Sequence, residues 1–237
     1  MIRLVIFLIL LPFVTAAEPC ETAEHKGSTY VICTADLSRH RIDLHLTGPD
    51  GSPLYTFAAM EAAGGAALFA MNAGMYHRDR APVGLYIEDG HQSAPLVTRA
   101  GPGNFGMLPN GLLCIEGARA RVIESRAYAA DPPDCTHATQ SGPMLVIDGD
   151  LHPRFIPDSP YTAVRNGVGA TPDGERVHFV ISEGPVPFHD LATLFRDRLG
   201  VRDALYLDGR VSKLHAPVMG RSDRGLPMGP IVAVRPR

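Results

Sequence analysis

The chain has no tryptophan, only four cysteines and no cluster of basic residues, and its formal net charge is −3. A duplex-binding protein needs a concentrated basic face; here the arginines are scattered among acids, so nucleic acid is not an expected partner. None of the cysteines forms a CxxC pair, which argues against a zinc ribbon or a redox dithiol. No HExxH, P-loop or EF-hand pattern occurs, and the ten histidines never fall at metal-ligand spacing on one helix, so neither metal nor cofactor is expected. "GPGNFG" at 101–106 fits a dinucleotide fingerprint by letter, but it contains Pro102 and opens no helix. Ser141, in "TQSGPM", lacks the preceding glycine of a nucleophile elbow.

Long apolar runs are also missing, with one exception at the start. "MIRLVIFLILLPFVTAA" has a positive Arg3, an apolar stretch from Leu4 to Val14 and small residues at Ala16 and Ala17. That is the layout of a cleavable signal peptide over residues 1–17. The run is interrupted by Pro12 and falls short of the roughly 20 residues a spanning helix needs, so no membrane anchor is expected after cleavage. Glu18 and Pro19 before Cys20 do not make a lipobox. Loss of Arg3 with the leader takes the net charge from −3 to −4, and the mature chain is expected to be exported, to a bacterial periplasm or beyond.

Export gives the cysteines a meaning. An even number in an exported chain reads as a disulfide framework. Three pairings are possible; Cys20–Cys33 and Cys114–Cys135 close short loops and are the expected ones.

Residues 18–237 offer no linker, repeat or low-complexity tract at which to divide, so a single domain is expected. Segments such as "STYVICTADL", "NGLLCIE", "RVHFVISEG" and "PIVAVRP" are rich in β-branched and apolar residues between turn formers. Two helices are expected among them: Thr56 to Ala63, and one from His189-Asp190 with Leu191, Leu194, Phe195 and Leu199 on one face and Gly200 as its stop. "DGD" at 148–150 reads as a hairpin turn. The fold class is therefore α+β: a mixed or antiparallel sheet-rich core with a few helices packed on it.

Polar residues stand where the apolar segments end: Asn72 in "ALFAMNAG", Ser141 and Gly142 in "SGPMLV", Arg165 in "AVRNGVG", Glu183 in "VISEG", Asp208 and Gly209 in "ALYLDG". Singly, each reads as a turn former or a solvated charge. Together they describe a polar cleft at one rim of a sheet.

The same ordered segments, from "NAGMY" to "LDGRVSKL", resemble the phosphodiester glycosidase domain over about residues 65 to 235. This is the family of the lysosomal uncovering enzyme, which removes N-acetylglucosamine from a sugar phosphodiester. The chain departs from the family pattern twice. Asp-Gly-Arg becomes Glu183-Gly184-Pro185, and the triple-glycine loop becomes Gly209-Arg210-Val211. Hydrolysis at the anomeric carbon expels a phosphate monoester, which needs little protonation, so the site must chiefly hold an anion and stabilise an oxocarbenium-like transition state. The resemblance implies Asp208 as nucleophile or base with Glu183 as the second carboxylate, and Arg165 as a bidentate phosphate ligand. Asn72, Ser141, Gly142, Gly209 and Ser212 would contact substrate. The expected partner is a glycosyl phosphodiester of an envelope or exopolysaccharide-type glycan; the rival reading is a glycan-binding accessory protein without turnover.

Overall fold

The computed structural model describes residues 18–237; the expected signal peptide lies outside them. Three antiparallel sheets surround one core. The largest runs in the order Cys20–His25, Ser28–Asp36, Arg176–Ser182, Asn166–Ala170, Asp203–Tyr206, Met144–Ile147, Asp150–Leu151. The second is ordered Arg221–Ser222, Leu214–Ala216, Phe69–Asn72, Ile231–Pro236, His40–His45, and the third His91–Ala94, Tyr86–Glu88, His137–Ser141, Gly111–Glu116, Arg119–Glu124. The fold is α+β, as the strand-rich sequence predicts.

Alternation along the strands explains the layering. In Asp203–Tyr206, Leu205 points into the shared core with Phe179, Val168, Met71 and Leu113, while Ala204 and Tyr206 point outward. Their outward face is covered by the helix Phe188–Thr193 and its continuation, a wider turn over Leu194–Arg198. Gly167 and Gly169 let that helix approach: a Cβ on Gly169 would stand 2.9 Å from Val201 and 3.0 Å from the Phe195 ring. The helix ends where Gly200 takes a positive φ of 65°.

The other two sheets each carry one helix as well. Phe57–Gly64 packs on the second sheet, its first turn capped by Thr56 Oγ1, which accepts from Ala59 N at 3.2 Å. Ser125–Ala130 packs on the third beside the Cys114–Cys135 bridge, and the sequence reading did not foresee it. It is short, and it is nucleated by the Glu124 carboxylate accepting from Arg126 N and Ala127 N rather than by any apolar period. Both expected disulfides are present: Cys20–Cys33 ties the first strand to its neighbour, and Cys114–Cys135 clips the segment before His137–Ser141. Asp148 and Gly149, both at positive φ, turn the expected hairpin between Ile147 and Asp150. Among the described residues no helix is long and apolar enough to cross a membrane.

Candidate active site

Strand ends from all three sheets meet at one place. Asn72 ends Phe69–Asn72, Ser141 ends His137–Ser141, Asn166 begins its strand, and Asp208 follows Asp203–Tyr206 by two residues. Asn72, Ser141 and Asn166 are fully buried, and Asp208 is 8% exposed. Side-chain amides link them. Asn166 Nδ2 donates to Asn72 Oδ1 at 2.6 Å, Lys213 N donates to the same oxygen at 2.9 Å, and Asp208 N donates to Asn166 Oδ1 at 3.0 Å. Ser141 Oγ donates to the Leu207 carbonyl at 2.5 Å, and Ser212 Oγ bridges the carbonyls of Asp208 (2.7 Å) and Val164 (3.1 Å). Asn72, Ser141 and Ser212 thus hold the 207–213 segment in place. Each such buried bond left unmatched costs about 1–3 kcal/mol, so the segment is tightly specified.

The Asp208 carboxylate has no cationic side chain paired with it among the described residues. One of its oxygens accepts from Arg210 N at 2.9 Å. Burial raises its pKa above the ordinary aspartate value, while the amides of Arg210, Gly209 and Val211 and the charge of Arg210 pull the other way. Gly209 is dictated by its neighbour: a Cβ there would lie 1.6 Å from the Tyr206 hydroxyl. That hydroxyl is buried without a well-formed hydrogen bond, and burial pushes its pKa up to about 12.

Arg165 lies behind this floor. Its Nε donates to Val186 O at 2.8 Å, a terminal nitrogen donates to Tyr161 O at 3.1 Å, and its guanidinium covers the Phe188 ring at 3.6 Å. The side chain is 5% exposed, also lies 5.6 Å from the Tyr206 ring centre, and does not line the depression described below. Glu183, at the end of Arg176–Ser182, is exposed and ion-paired to Arg221, whose other side is held by Asp223. It does not line the depression above Asp208. Gly142 lies in a cis Gly142–Pro143 bond next to Ser141, packed on Asn110 and Phe105 with no room for a Cβ.

The depression above Asp208 measures about 460 Å³ and is walled by Tyr76, His77, Val83 and Pro227. Arg78, Arg80 and Arg210 also line it. Arg165, the expected phosphate ligand, is not among the cations that line it. They sit in "YHRDR" and "DGRV", loop segments without periodicity, so nothing in the sequence aims them at one point. Asn166 was one position from legible, beside Arg165 in "VRNGVG".

The family model described as phosphodiester glycosidase matches residues 65–215. Uncharacterized protein YigE of Escherichia coli (strain K12) is 33% identical over 217 residues, covering 90% of this chain and 84% of that protein. Among solved structures, the zebrafish N-acetylglucosamine-1-phosphodiester alpha-N-acetylglucosaminidase catalytic domain, auto-inhibited by its pro-peptide, aligns with a TM-score of 0.63. That alignment has 13% identity over 92% of this chain and 82% of the other. A Burkholderia pseudomallei K96243 protein described as exported aligns with a TM-score of 0.59 at 14% identity, covering 88% of this chain and 74% of its own.

Proposed function

This chain belongs to the phosphodiester glycosidase family, and from that premise we propose that it is an exported hydrolase cleaving a glycosyl phosphodiester at the anomeric carbon of an envelope or exopolysaccharide-type glycan. The observation that carries the reading is the buried Asp208 carboxylate, without an ion pair among the described residues and facing a depression rimmed by arginines. A raised carboxyl pKa suits a group that must exchange protons or attack carbon near neutral pH. Arg78, Arg80 and Arg210 are suited to hold the phosphate, each able to give two parallel N–H bonds. The departing phosphate monoester carries its own charge, so one carboxylate, as nucleophile or as base toward water, is chemically sufficient. In this reading Arg165 acts from behind, bracing Phe188 and the Val186 carbonyl, and Asn72, Ser141 and Ser212 position the Asp208 segment. Residues 1–17 serve as the signal peptide and 18–237 as one domain; the two disulfides fit an oxidising compartment.

One observation favours a second reading, a glycan-binding accessory protein: Glu183 sits on Arg221 instead of beside Asp208, leaving the usual glycosidase carboxylate pair incomplete. The test is free-sugar release from a panel of sugar-1-phosphodiesters, including one of N-acetylglucosamine, by wild type and Asp208→Asn, with binding followed by calorimetry. The expected result is turnover by wild type and a loss of about a thousandfold in the variant, within the range for a proton-transfer group, while binding persists. Equal rates would remove Asp208 from the chemistry, and binding without wild-type turnover would establish the accessory role.

A further inference from the structure

The depression above Asp208 is not isolated. A second, of about 410 Å³, adjoins it and shares Arg210, Val211 and Leu226, so the two form one groove over the 209–213 segment. Its walls add Lys213 and Arg224, with Ser212, Gly209 and Asp223. Five cations therefore line the groove, Arg78, Arg80, Arg210, Lys213 and Arg224, against the carboxylates of Asp208 and Asp223, although the buried Lys213 ammonium donates to the Leu226 carbonyl at 2.5 Å. Asp223 is already taken: both its oxygens accept from Arg221, at 3.0 and 2.9 Å. Arg78, Arg210 and Arg224 form no ion pair among the described residues. Arg80 is held in a conformation uncommon for a bulky residue, φ 75°, against the rings of Tyr76 (5.3 Å) and Tyr55 (5.9 Å), with its Nε buried and unpartnered.

This concentration occurs in a chain whose net charge is −3. One phosphodiester carries one negative charge, and one arginine can grip it through two oxygens. Arg224 lies beyond the depression above Asp208, in the adjoining one, where a second phosphodiester could be met. We propose that the groove binds a polyanionic glycan in which phosphodiesters recur from repeat to repeat, the scissile one at Asp208 and its neighbour at Arg224. The proposal rests on the reading of Asp208 as the cleavage site, but it concerns how the rest of the substrate is held.

The test compares three probes by calorimetry on the Asp208→Asn protein, which removes turnover. They are the methyl phosphodiester of N-acetylglucosamine-1-phosphate, an oligomer of three N-acetylglucosamine-1-phosphate repeats, and a chain of equal length whose extension is neutral. The oligomer is expected to bind at least about tenfold more tightly than the other two, or about 1.4 kcal/mol. The margin should shrink as salt is raised. Adding Arg224→Gln should erase the margin while leaving the single-phosphodiester probe unchanged. A neutral extension that binds as well as the oligomer, a margin that survives Arg224→Gln, or no binding by any probe would each overturn the proposal. Sugar release by wild type from the methyl phosphodiester is scored separately: loss of the polyanion preference with turnover intact overturns the proposal and leaves the glycosidase reading standing, whereas a preserved preference without turnover removes the glycosidase reading and with it the scissile position at Asp208.

Discussion

Two buried charges in this molecule are handled in opposite ways. Arg235, 3% exposed on the Ile231–Pro236 strand, is satisfied from several sides: Asp43 Oδ2 at 2.9 Å, His45 Nε2 at 2.9 Å, and the Gly65 carbonyl at 3.2 Å. Asp208, 8% exposed, has backbone amides around it and no ion pair among the described residues. A buried charge that is fully matched ties sheets together; its removal costs several kcal/mol because its partners are left behind. A buried charge left unmatched beside an open depression weakens the fold slightly and is available for chemistry. Burial alone does not distinguish the two. The partner list does.

The comparison can be broken by exchanging the readouts. Arg235→Gln is expected to lower unfolding stability by on the order of 3 kcal/mol, read by urea denaturation. Sugar release per folded molecule should stay near wild type. Asp208→Asn should do the reverse, cutting turnover by about a thousandfold with stability equal to or above wild type. If Arg235→Gln leaves stability intact, the Asp43–Arg235–His45 cluster is not structural; if Asp208→Asn unfolds the protein, Asp208 is.

A smaller effect sharpens the contrast through pH. Burial, reinforced by the charge of Arg235, lowers the His45 pKa to about 4 from the ordinary 6.5. Between those values the unfolded chain binds the extra proton, so the stability from a neutral His45 is fully present above about pH 6.5 and is lost as pH falls toward 4. Asp208 has the opposite sign. Its folded pKa is raised, so its contribution is fully present below the ordinary aspartate pKa and is lost as pH rises through the folded value. Thermal melts across this range should show His45→Gln flattening the acid side of the stability profile and Asp208→Asn flattening the rise of the cost toward neutral pH. Identical profiles for wild type and both variants would refute the assignment of either charge state.

Much of this was legible in the sequence because local chemistry and global position agree there. The strands, the helix that follows Thr56, the Gly200 stop and both disulfides follow from β-branched apolar segments between turn formers, a glycine stop and loop closure. Asn72, Ser141 and Asp208 stand at strand ends in sequence and meet in space. What the sequence does not convey is side-chain direction. Arg165 and Glu183 also stand at strand ends, yet Arg165 folds back over Phe188 and Glu183 reaches to Arg221, 38 positions away. A strand end fixes where a backbone stops, not what a long, flexible side chain touches. The arginines that rim the depression come from loops, whose convergence is set only by tertiary packing.

The most direct test of the central claim is to follow the oxygen. Hydrolysis of an N-acetylglucosamine-1-phosphodiester by wild type in oxygen-18 water should place the label on the sugar's anomeric hydroxyl, because the account has water, or Asp208 ahead of water, reacting at carbon. Label recovered in the phosphate would mean cleavage at phosphorus and would contradict it.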